Sequence, residues 1–226
     1  MLVIESGTYR YDGEDGVLDC VGAPVTIVGP AGVLQAVTDC PPDGCPMHGI
    51  GVICHPHPLH GGTFHNKVVS TLSRTLNALG VGTVRFNFRG VGASDGVYAE
   101  GIGEAEDLRA VLRWVQAQRP GHPLWLAGFS FGAYVALRVA HEFPVARLIT
   151  VAPPVNFFDF TQLTPIQCPW ILVQGEADEI VPSEQVFAWA QQQQPAPEII
   201  RLPGLGHFFH GHLNRLHDTL IERLSR

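Results

Sequence analysis

The stretch LAGFSFGAY, Leu126–Tyr134, contains the pentapeptide GFSFG, a G-x-S-x-G pattern centred on Ser130. A serine so placed is either a nucleophile raised on a strained strand-to-helix turn or a small hydroxyl in a glycine-rich bend. The flanks decide between them. PLWLAGF (123–129) is short, apolar and strand-like, while FGAYVALRVAHEF (131–143) has the content of a helix. Gly128 and Gly132 stand where side chains would crowd such a turn, and the following helix N-terminus favours negative charge beside the hydroxyl. Ser130 therefore reads as a nucleophile.

Working outward, apolar runs alternate with helical patterns. HGIGVICHP (48–56), VGTVRFNF (81–88), RLITVAP (147–153), WILVQG (170–175) and EIIRLP (198–203) read as buried parallel strands bounded by Gly and Pro. Helices are expected over 66–80, 103–118, 131–143, 183–194 and 208–224; in the second, Leu108, Val111, Leu112 and Val115 recur at helical spacing. Ahead of them, APVTIVG and GVLQAVTDC predict an antiparallel hairpin at the sheet edge. The fold class is α/β, a mostly parallel sheet of about eight strands with helices on both faces. With neither repeat nor composition break, residues 1–226 are expected to form one domain.

Composition narrows the partners. The net charge is −7, and no basic patch is visible, which argues against nucleic acid. MLVIESGTYR lacks the basic-then-apolar pattern of a signal peptide, and no apolar run is long enough to span a membrane, so a cytoplasmic location is expected. The five cysteines (Cys20, Cys40, Cys45, Cys54, Cys168) are odd in number and form no CxxC pair, so reduced thiols are expected, with Cys54 buried. A Cys40–Cys45 disulfide across the Pro/Gly-rich loop is the less favoured alternative.

A serine nucleophile needs a base, and the base an acid. His207 follows the last strand in PGLGH; His210, His212 and His217 read as residues of the final helix. Past WILVQG, Asp178 stands in the loop as the acid, with Glu176 and Glu179 as fallbacks. Ser130, Asp178 and His207 each follow a strand, at the end where ligands collect in such sheets. The segment CHPHPLHGGTFHNK (54–67) admits two readings. His55, His57 and His60 could ligate a metal, but no acid accompanies them and two prolines restrict the rings. The preferred reading is an oxyanion loop: Pro56 and Pro58 have no N–H, so His57 or Leu59 supplies one donor, with His57 favoured, and Phe131 supplies the other. Asn66 is placed to cap the next helix.

HPHPLHGGTFHNKVV, RFNFRGVGASDG, GEAEDLRAVLRW, LWLAGFSFGAYVALR, QGEADEIVP and GHFFHG together resemble the small, lidless α/β-hydrolases related to dienelactone hydrolases and bacterial carboxylesterases, over about residues 48–212. The resemblance implies Ser130, Asp178 and His207 as the triad, with Phe131 and the HPHP loop as oxyanion donors. Dienelactone hydrolases carry cysteine at the elbow; serine here favours ester hydrolysis. Many relatives insert a helical cap after the strand RLITVAP, but PVNFFDFTQLTPIQCP is too short for one. Phe157, Phe158 and Phe160 within it either wall a pocket or pack beneath the loop. The expectation is a cofactor-independent serine esterase acting on short- to medium-chain esters, as a monomer or homodimer. A thioesterase or peptidase using the same triad, and a silent hydrolase-fold binding protein, are the alternatives.

Overall fold

The computed structural model describes residues 22–42 and 45–225; Cys20 and the opening MLVIESGTYR lie outside them. Strands β1 (Ala23–Gly29) and β2 (Gly32–Asp39) form an antiparallel hairpin. They are followed by β3 (Gly49–Cys54), β4 (Val81–Phe86), β5 (Leu124–Phe129), β6 (Val145–Val151), β7 (Trp170–Gly175) and β8 (Glu198–Leu202). All eight join in one sheet, in the order β1-β2-β4-β3-β5-β6-β7-β8. From β4 to β8 every pairing is parallel, and the hairpin attaches antiparallel through β2 to β4. An ion pair between Arg85 on β4 and Asp39 on β2, at 2.8 Å, ties that junction.

Burial follows this topology. Every residue of β3 and β7 is buried, as parallel strands covered on both faces must be. In β1 only alternate residues, Val25 and Ile27, are buried, so the other face of the hairpin meets solvent. Helices α1 (Lys67–Ala78) and α5 (Leu213–Leu224) bury Leu72, Leu76, Leu216 and Leu220 in a core on one face. On the other face a second core is closed by α2 (Ile102–Gln118), α3 (Phe131–Val139) and α4 (Ser183–Gln191). Asn66 caps α1, its Oδ1 accepting from the amides of Val68 and Val69. Among the described residues no helix is long and apolar enough to cross a membrane.

Two expectations are corrected. The last helix begins at Leu213, not Phe208, because Phe209 (φ 53°) and Gly211 (φ 74°) take left-handed backbone that a right-handed helix cannot contain. His210 and His212 thus precede α5, and only His217 lies within it. The cysteines are not all thiols either: Cys40 is disulfide-bonded, while Cys45, Cys54 and Cys168 are free. Between β6 and β7, residues 152–169 contain neither helix nor strand, and no cap covers the sheet ends.

Candidate active site

At the end of β5 the chain turns into α3 within one residue. Ser130 occupies the turn at φ 53° and ψ −120°, a strained conformation for a residue with a side chain. Its amide donates to the Val151 carbonyl at the end of β6. The flanking glycines are required by close packing. A Cβ on Gly128 would strike the Gly132 carbonyl, and one on Gly132 would strike the carbonyls of Cys54 and His55. The elbow is thereby pressed directly against the start of the HPHP loop.

Ser130, Asp178 and His207 come together from three strand ends. His207 Nε2 lies 3.1 Å from Ser130 Oγ, and its Nδ1 lies 2.8 Å from Asp178 Oδ2. Asp178 Oδ2 also accepts from Gln174 Nε2 (2.9 Å), and Oδ1 accepts from the amides of Ile180 (2.9 Å) and Val181 (2.7 Å). Burial is the largest single influence on this carboxyl and opposes its ionisation. The His207 hydrogen bond and charge, with the two amides, outweigh that burial and hold Asp178 below the usual carboxylate range. An ionised Asp178 can only accept, so His207 carries its proton on Nδ1 and presents a bare Nε2 to the serine hydroxyl. His207 is buried (2% exposed), its ring between Phe129 and Phe208. Glu176 stays exposed, whereas Glu179 accepts the His207 backbone N–H at 3.0 Å. His217 donates instead to Thr75 Oγ1, since the Thr75 hydroxyl already donates to Thr71.

The histidines of the HPHP loop have separate duties. His55 is fully buried; its Nδ1 donates to the Pro56 carbonyl (2.6 Å), and its Nε2 accepts the Phe88 amide (3.0 Å). Burial lowers its pKa to about 4, against an opposing Pro56 hydrogen bond and with a small push from His57. His57 uses both ring nitrogens as well, on the Leu59 amide and the Tyr98 hydroxyl. Rings engaged in this way do not converge on a metal, and among the described residues no group of three or more His, Cys, Asp or Glu is placed to hold one.

RFNFRGVGASDG packs behind this loop. Asn87 accepts the Phe64 amide (2.9 Å) and donates to Gln35, while Ser94 Oγ donates to the Asn87 carbonyl. Arg89 forms a forked ion pair with the fully buried Asp107 of α2, 2.7 Å at its closest. The motif's side chains clamp the loops that flank the site. Neither Gln174 nor Tyr98 is marked by the sequence pattern, because each acts through a partner set only by the fold; Glu179, a fallback for the acid, holds the His207 amide instead.

These loops surround a cleft of about 820 Å³. Ser130, His207, His57 and Phe131 line it together with Tyr98, Phe157, Phe158 and Phe208. Phe157 and Phe158 are thus wall residues, whereas Phe160 is buried beneath, packed on Tyr134 and Trp189.

An α/β serine hydrolase without a lid from Xanthomonas campestris is 45% identical, with a TM-score of 0.87 over 90% of this chain and 94% of that one. The chain belongs to the lidless α/β serine hydrolases. An α/β serine hydrolase homologue from Coxiella burnetii is 48% identical to this hydrolase over 95% of the chain and 100% of its own, at a TM-score of 0.86. An uncharacterised protein of Rickettsia prowazekii is 38% identical over 174 residues, 73% of each chain. The family model for serine aminopeptidase, S33, matches residues 57–160.

Proposed function

We propose that this hydrolase cleaves short- to medium-chain carboxylic esters through a covalent acyl-enzyme. The observation that carries the reading is the unbroken hydrogen-bonded line Asp178–His207–Ser130, ending in an uncapped cleft. Ser130 Oγ attacks the ester carbonyl as its proton passes to His207 Nε2. Asp178 fixes the ring and stabilises the imidazolium. The amides of Phe131, at the start of α3, and of His57 take the negative charge that develops on the carbonyl oxygen. His207 then protonates the leaving alcohol, and water activated by the same nitrogen releases the acid. No step calls for a cofactor.

The test is labelling by a fluorophosphonate, wild type beside Ser130→Ala, with p-nitrophenyl esters of increasing acyl length. Labelling lost in the variant, with fastest turnover of the shorter acyl chains, is the expected result. Equal labelling of both proteins, or of neither, overturns the nucleophile assignment. A peptidase using the same groups is favoured by one observation: Glu100 and Asp159 on the cleft wall suit a substrate ammonium. Aminoacyl p-nitroanilides run beside the esters separate the two.

A further inference from the structure

Proton placement in the wall of the cleft leads beyond the triad, to Tyr98. The Leu59 amide donates to His57 Nδ1 at 3.2 Å, so that nitrogen is bare. A neutral imidazole with a bare Nδ1 carries its proton on Nε2. Burial, and then the neighbouring His60, hold His57 below its ordinary pKa and so neutral. His57 Nε2 is 3.2 Å from the Tyr98 hydroxyl. Between these two atoms the histidine must therefore donate and the tyrosine oxygen accept. The Tyr98 proton is left over, and the hydroxyl makes no other hydrogen bond among the described residues.

That proton sits in the cleft that Ser130 shares. The tyrosine is held there firmly. Its ring packs on His57 (4.9 Å) and Phe131 (5.9 Å), and Glu104 on α2 takes the amides of Ala99 and Gly101 just after it. Burial, followed by the charges of Glu104 and Glu100, raises the Tyr98 pKa, so the phenol remains a donor across the neutral range.

We propose that Tyr98 is a specificity residue whose hydroxyl donates to the substrate, selecting esters with an acceptor oxygen a few atoms from the scissile carbonyl. This rests on the ester-hydrolase reading above. Hydrocarbon acyl or alcohol chains would leave the donor unmatched, whereas an ether, keto or hydroxyl oxygen would match it.

The experiment uses isosteric pairs in which one methylene becomes an oxygen. On the acyl side these are p-nitrophenyl butyrate and p-nitrophenyl methoxyacetate; on the alcohol side, n-butyl acetate and 2-methoxyethyl acetate. The ratio of kcat/KM, oxygen over methylene, is compared between wild type and Tyr98→Phe. Intrinsic reactivity is common to both proteins, and a general loss through a loosened His57 cancels in the ratio. The expected result is a ratio about fivefold higher in wild type for at least one pair, the effect of one neutral hydrogen bond. Equal ratios for both pairs, in a protein that labels with fluorophosphonate and turns the esters over, overturn the Tyr98 assignment alone. Absence of labelling and turnover overturns the underlying hydrolase reading, and Tyr98 with it.

Discussion

Two loops meet over Ser130, and they are held by opposite means. The elbow is fixed by missing atoms: with no Cβ on Gly128 or Gly132, backbone lies directly on backbone. The HPHP loop has one such contact, at Gly62, but otherwise depends on polar side chains with distant partners. His55 reaches Phe88, and Asn87 reaches Phe64 and Gln35. A loop defined by close approach tolerates no added atom, while a loop defined by hydrogen bonds tolerates no lost partner. The first is sensitive to size, the second to protonation.

Substitutions can break or sharpen that contrast. The largest effect belongs to the chemistry the loops support. Asp178→Asn can offer its amide N–H to His207 Nδ1, which moves the ring proton to Nε2 and leaves no base for Ser130. The expected loss is about 10⁴-fold in kcat with the fold retained, read from ester turnover and circular dichroism. Next is Gly132→Ala, whose Cβ meets two carbonyls that cannot swing aside. A loss of about 3 kcal/mol in unfolding free energy is expected by urea titration. Gly61→Ala, where nothing lies within 4 Å and only the positive φ of 75° opposes the side chain, should cost about 1 kcal/mol. Similar costs at the two glycines would erase the distinction between crowding and backbone strain.

The HPHP loop should respond to acid. His55 titrates at about 4 when folded and near 6.5 when unfolded. Between those values the unfolded chain binds the extra proton, so stability rises with pH, and acidification from 6.5 to 4 removes about 3 kcal/mol through this residue. Depression of Asp178 acts in the same direction, at lower pH. His55→Gln should flatten the dependence of the urea midpoint across that window, and an unchanged slope would assign it elsewhere. The smallest effect is at Glu179, an exposed carboxylate on the His207 amide. Glu179→Gln keeps an acceptor there, so kcat is expected to change less than about threefold.

The same contrast explains what was legible in the sequence. The parallel strands, the hairpin and the elbow all announce themselves locally, through apolar runs, turn residues and paired glycines. Ser130, Asp178 and His207 could be named because each follows a strand, and the fold places them in hydrogen-bonded contact. The roles of His55, Gln174 and Tyr98 could not be named. Their partners lie 33, 4 and 41 residues away, and no spacing rule encodes such pairs. The sequence misplaces the start of α5 because Phe208–His212 has apolar content without helical backbone; Phe209 is buried through a left-handed turn instead. The disulfide at Cys40 is a property of folded proximity, which cysteine counting does not capture.

Asp178 receives four hydrogen bonds on its two oxygens, from Gln174, Ile180, Val181 and His207. A carboxylate so fully solvated by the protein has little basicity left to compete for the histidine's proton. Only one hydrogen is then in flight during acyl transfer, the one between Ser130 and His207. In mixtures of light and heavy water, the rate of that step should fall as a straight line with deuterium fraction, without the downward bow that two moving protons produce.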